Sequence, residues 1–116
     1  MFMTKRAKIR RYLAQRADEC SCAFDALLRD YLDGSFKEKL TAMDIRRGAL
    51  YVDLREDEKC IDVQGRYQRY YVEMQIRPNE FSVSIDLVEP DEDVVYPLES
   101  KEQLYRVLSD SILALK

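Results

Sequence analysis

The sequence predicts an α+β fold: a long N-terminal helix, an antiparallel β-meander of four to five strands and a C-terminal helix, with both helices on one face of the sheet. Two observations carry this reading. Tyr70, Val72, Met74 and Ile76 alternate with polar residues, as do Phe81, Val83, Ile85 and Leu87, and Arg77-Pro78-Asn79-Glu80 hinges the two runs. Period-two alternation about a Pro-Asn turn is an antiparallel hairpin with one buried and one wet face. Before and after the hairpin, the apolar residues instead recur at three- and four-residue steps, the period of an amphipathic helix.

Taken in order, residues 4–32 place Ile9, Tyr12, Leu13, Ala17, Cys20, Phe24, Leu27, Leu28 and Tyr31 on one stripe and predict a single helix. Gly34 suits the left-handed position just past a helix end. Phe36–Met43 reads as a short second helix or turn. A sheet is expected over 49–98, starting with Ala49–Arg55, where Leu50, Val52 and Leu54 share a face. The charged turn 56–59 leads to Cys60–Gln64, and Gly65 is expected to turn the chain into a strand over Tyr67–Arg77. Glu89-Pro90-Asp91-Glu92-Asp93 is a loop, and Pro97 restricts Val94–Tyr96 to an edge strand. Ser100 with Gln103 three residues on is a capping box. It opens a helix over 101–115 whose Leu104, Val107, Leu108, Ile112 and Leu115 form a stripe. At 116 residues the chain reads as one domain over 1–116.

Composition narrows the chemistry. Charged residues are 35% and apolar residues 47%, a globular balance. Histidine is absent, which removes the commonest general base and the commonest metal ligand. Three glycines, Gly34, Gly48 and Gly65, leave no phosphate-cradling loop. Cys20, Cys22 and Cys60 have no framework spacing and read as reduced thiols; on a helix Cys20 and Cys22 point about 200° apart and cannot share a metal. The start of the chain has no apolar signal-peptide core, and no apolar run approaches the roughly 20 residues of a membrane span. A cytoplasmic protein without cofactor, metal or catalytic activity is expected.

One segment stands out functionally. Lys5, Arg6, Lys8, Arg10, Arg11 and Arg16 precede the first acid, Asp18. Cations at a helix start oppose the macrodipole by about 0.3–1 kcal/mol each in the first turn, so the pattern points to an anionic partner. A 29-residue helix would be ~43 Å long, longer than a compact domain of this size at ~35 Å, so its basic end would project. The expected function is a non-catalytic protein–protein interaction module of adaptor, chaperone-like or immunity type, expected to be homodimeric, since a second copy can supply acids. Residues 56–116 carry fourteen acidic and seven basic residues against a positive first half. The alternative is a nucleic-acid-binding regulator using the same helix.

Two further patterns read as structural. Gly65-Arg66-Tyr67-Gln68-Arg69-Tyr70-Tyr71 mixes aromatic and basic residues, but not in the order by which RNA-binding sheets stack bases, and Tyr70 shares the core face. Asp53, Asp62, Glu73 and Asp86 fall on the polar face, where they are expected to be solvated.

Overall fold

A computed structural model describes residues 4–15, 22–46, 50–55, 57–86 and 94–115. Four helices and five strands follow in the order α1 (Lys5–Gln15), α2 (Cys22–Asp33), α3 (Ser35–Ala42), β1 (Tyr51–Arg55), β2 (Cys60–Tyr67), β3 (Tyr70–Ile76), β4 (Glu80–Asp86), β5 (Val94–Pro97) and α4 (Lys101–Leu113). The strands form one antiparallel sheet in sequence order. This is the predicted α+β class with a five-stranded meander.

The register gives the two faces. Val52, Val63, Met74, Val83 and Val94 lie opposite one another across the strands, as do Leu54, Ile61, Ile76, Phe81 and Tyr96. Apart from Val94, which is exposed on the edge strand, these rows merge with Tyr12 of α1, Phe24, Leu27 and Leu28 of α2, Phe36 and Leu40 of α3, and Leu104, Leu108 and Ile112 of α4 into one core. The helices therefore cover one face. The other face carries Tyr51, Asp53, Asp62, Gln64, Arg66, Tyr71, Glu73, Gln75, Ser82 and Ser84, alternating with the core residues in the predicted phase.

Local chemistry explains several boundaries. Gly34 follows α2 with φ of 81°, the left-handed conformation that a glycine adopts without a steric penalty. The Ser100 side chain accepts the Gln103 N–H at 3.1 Å, and the Gln103 side chain reaches back to the Glu99 N–H at 2.8 Å. This is the capping box, with its return bond one residue earlier than the usual pattern. The Arg77 N–H donates to the Glu80 carbonyl at 2.8 Å and closes the Pro78-Asn79 turn. The Leu98 N–H donates to Asn79 O at 2.8 Å, which fixes the alternation along β5. Val94 and Tyr96 turn their backbone groups toward β4, while Val95 and Pro97 turn theirs to the open side. Proline thus lacks an N–H where no strand needs one.

Two expectations are corrected. The helix over 4–32 is two helices: Cα atoms of α1 and α2 come within 8 Å of each other. Residues seven or more apart in one straight helix would be at least about 10.5 Å apart. The stripe runs through the sequence at helical steps on both sides, which is why the break is invisible there. With it goes the argument for a projecting ~43 Å helix. Gly65 does not turn the chain but lies inside β2 opposite Val72, and the turn is Gln68-Arg69, with Gln68 at φ of 53°. A Cβ on Gly65 would sit 2.7 Å from Ile45 Cγ2. The glycine is there so that the segment after α3 can press against β2, where the Arg46 N–H also donates to Arg66 O at 2.9 Å. Gly48, Leu87 and the acidic loop Glu89–Asp93 lie outside the described residues.

Candidate functional site

Thr4 caps α1: its hydroxyl accepts the Ala7 N–H at 3.1 Å. Ile9 and Tyr12, three residues apart, are buried and pin the helix to the body of the protein. That rotation leaves Lys8, Arg10 and Arg11 exposed. None of these three joins an ion pair among the described residues. Lys5 and Arg6 belong to the same helix, and Arg16 lies outside the described residues. Of the six predicted partner-binding residues, three are thus exposed on α1, spread around its outward side: Lys8 and Arg11 are neighbours one turn apart, whereas Arg10 points about 160° away from Lys8.

The cations of the helix junction are arranged differently. Asp30, near the end of α2, is buried and accepts three hydrogen bonds: from Lys101 Nζ at 3.2 Å, from Lys39 Nζ at 3.4 Å and from the Tyr105 hydroxyl at 3.0 Å. The Lys39 ammonium also lies 4.4 Å from the centre of the Tyr105 ring, which packs against Phe36. Burial pushes the Asp30 carboxyl up, but hydrogen bonds from Lys101 and Tyr105 and the charges of both lysines outweigh it and hold the group below the ordinary carboxylate range. Burial and the neighbouring Asp30 push the Tyr105 hydroxyl far up. One carboxylate therefore ties α2, α3 and α4 together. Sequence reasoning missed it. Asp30 borders the apolar stripe at Leu27, and Lys101 and Tyr105 share a face at four-residue spacing, but the two segments lie about 70 residues apart.

The open sheet face holds a second buried carboxylate. Asp62 is 1% exposed, although no helix among the described residues covers it. Its Oδ2 accepts Arg55 at 3.1 Å and Gln64 at 3.4 Å, while Oδ1 has no hydrogen-bond partner among the described residues. The expectation of solvated acids on this face is therefore corrected at Asp62, which lies in an interior strand of the sheet and is buried with its carboxylate paired to Arg55. Cys60, on the same face, is buried as well, and burial pushes its thiol up, away from the reactive thiolate form. Cys22 is an exposed free thiol at the start of α2, and Cys20 lies outside the described residues. Near Asp62, the Tyr51 hydroxyl donates to Asp53 Oδ2 at 3.1 Å. Tyr71 points outward, and partial burial, with Glu73 and Asp62 nearby, raises its hydroxyl pKa. Among the described residues, no helix is long and apolar enough to cross a membrane, and no group of three acidic or cysteine side chains is arranged to hold a metal.

No protein-family model, curated protein or solved structure matches the chain.

Proposed function

We propose that the protein is a non-catalytic protein–protein interaction module of the cytoplasm that pairs with a second copy of itself through the exposed basic face of α1. The observation carrying this reading is the contrast in how cations are used. Lys39, Lys101 and Arg55 are held by buried carboxylates, whereas Lys8, Arg10 and Arg11 stand on an anchored helix without an ion pair among the described residues. Three like charges around the exposed side of one helix, some set against the helix dipole, are tolerated best where a partner supplies acids. A second copy has them in excess, since the chain carries 22 acids against 19 bases.

Light scattering across a salt series tests this. Association at low salt, weakening as salt rises and abolished by Lys8→Gln/Arg10→Gln/Arg11→Gln, is the expected result. A wild type that stays monomeric at every salt concentration overturns the pairing. The second reading, a nucleic-acid-binding regulator using α1, is favoured by the run Lys5, Arg6, Lys8, Arg10 and Arg11 with no acid among them. It predicts duplex binding that the same variant loses, with a steep salt dependence.

A further inference from the structure

The two edges of the sheet differ in chemistry. β1 alternates Val52 and Leu54 with the charged residues Asp53 and Arg55, a pattern that discourages a further strand. β5 carries no charge from Val94 to Pro97. Val94 is 53% and Val95 56% exposed, and as consecutive strand residues they point to opposite faces.

The backbone of β5 offers a ladder on its outer side. The bond from the Leu98 N–H to Asn79 O sets the alternation, so Val95 directs both its N–H and its carbonyl away from β4, and Pro97 directs its carbonyl the same way. Among the described residues no strand lies on that side. On the helix-covered face, Val83, Ile85, Val94, Tyr96, Ser111 and Leu115 line a groove of about 180 Å³ beside this edge. Small-molecule sites run to roughly 300–1,000 Å³, whereas a groove below that range suits one or two side chains.

Charge selects among the strands that could add here. Glu80 lies opposite Pro97, and Glu99 follows Pro97 by two residues. Both are exposed, and neither joins an ion pair among the described residues. Lys101, the next cation along the chain, is held by Asp30. In the sequence, Glu89, Asp91, Glu92 and Asp93 lead into the strand.

We propose that β5 is a docking edge for an extended basic segment of a partner protein, which adds to the sheet as a sixth, antiparallel strand. The partner residue opposite Val95 donates its N–H to Val95 O and accepts the Val95 N–H, and the residue opposite Pro97 donates to Pro97 O. The two residues opposite Val94 and Tyr96 turn toward the groove and are apolar. Lysines or arginines outside this core meet Glu80 and Glu99. A second copy of the same edge fits poorly, because antiparallel pairing sets Glu99 of each copy toward the acidic approach to Val94 in the other. The edge is separate from α1 and does not depend on the pairing proposed for that helix.

An NMR titration with a synthetic peptide tests the edge. The probe has two lysines, a Val-Thr-Val core and two more lysines. One control carries glutamates in place of the lysines, and the other a methyl group on the threonine nitrogen. Saturable shifts of the Val94, Val95 and Tyr96 amides are expected with the lysine peptide. The methylated peptide cannot donate to Val95 O and should bind roughly three- to tenfold more weakly. Val95→Pro removes the outward N–H without touching the ladder to β4, so the fold should persist and binding drop at least as far. Glu80→Gln/Glu99→Gln should weaken binding and flatten its salt dependence. Unfolding curves of each variant separate loss of the site from loss of the fold. Absence of shifts at millimolar lysine peptide overturns the proposal. So does equal binding of either control peptide, or undiminished binding by Val95→Pro. Self-association of the wild type that Val95→Pro abolishes would assign the edge to a second copy and overturn it as well.

Discussion

The helix junction and α1 use positive charge in opposite ways. At the junction, Lys39 and Lys101 converge on buried Asp30, with Tyr105 as a third donor, and the arrangement spans three helices. On α1, Lys8, Arg10 and Arg11 face outward, while the neighbouring apolar residues Ile9 and Tyr12 hold the helix in place. The difference separates charge that supports the fold from charge that the fold leaves accessible. Cations are equally visible in both sequence segments, and only their surroundings tell them apart.

The largest expected effect breaks the junction. Asp30→Ala removes the acceptor of three donors and leaves the Tyr105 hydroxyl buried without it. A fully buried ion pair broken on one side costs about 3–5 kcal/mol. Here the lysine side chains are 44% and 29% exposed and can turn to water, so a smaller loss of about 2–3 kcal/mol is expected in denaturant unfolding. A loss below about 0.5 kcal/mol, the level of an ordinary surface substitution, would erase the contrast with α1.

The next test uses acid. The Asp30 carboxyl titrates lower in the folded protein than in the unfolded chain, so the unfolded state binds the proton first as pH falls. Its contribution is complete above the unfolded value, near 3.9 for an ordinary aspartate, and is lost as pH drops through the folded value. The stability gap between wild type and Asp30→Asn should therefore be constant near neutrality and shrink below about pH 4. A gap that persists undiminished into strong acid would show that the ionised carboxylate is not what joins the helices. Tyr105→Phe, which removes one donor and keeps the ring packing on Phe36, should cost about 1 kcal/mol by the same unfolding measurement.

How much of this was legible in sequence depends on how local the signal is. The hairpin from β3 to β4 follows from alternation in adjacent residues, so its register and faces are readable. Gly34 and Ser100 act within four residues, and their roles as helix end and cap are readable too. The break between α1 and α2 is not, because no glycine or proline marks it and helical spacing continues on both sides. Gly65 was misplaced for a related reason: glycine fits both a turn and a close approach, and only the distant Ile45 decides between them. Of the candidate sites, the α1 run was visible because its charges are contiguous. The Asp30 junction, the burial of Asp62 and the approach of Arg46 to Arg66 all depend on tertiary neighbours that no local pattern encodes.

The smallest expected stability effect belongs to α1. Lys8→Gln/Arg10→Gln/Arg11→Gln should change unfolding free energy by no more than about 0.5 kcal/mol, with any gain arising from relief of the helix dipole. A loss of more than about 1 kcal/mol would place these cations among the groups that support the fold.

The central claim, that the α1 cations are free for a second copy, is tested most directly by amide hydrogen exchange measured at several protein concentrations in low salt. Pairing through α1 predicts that protection of the Lys5–Gln15 amides rises with concentration and falls when salt is added, while the amides of α2 and α4 around Asp30 do not change. Protection of α1 that is independent of concentration, or concentration-dependent protection confined to another surface, would contradict it.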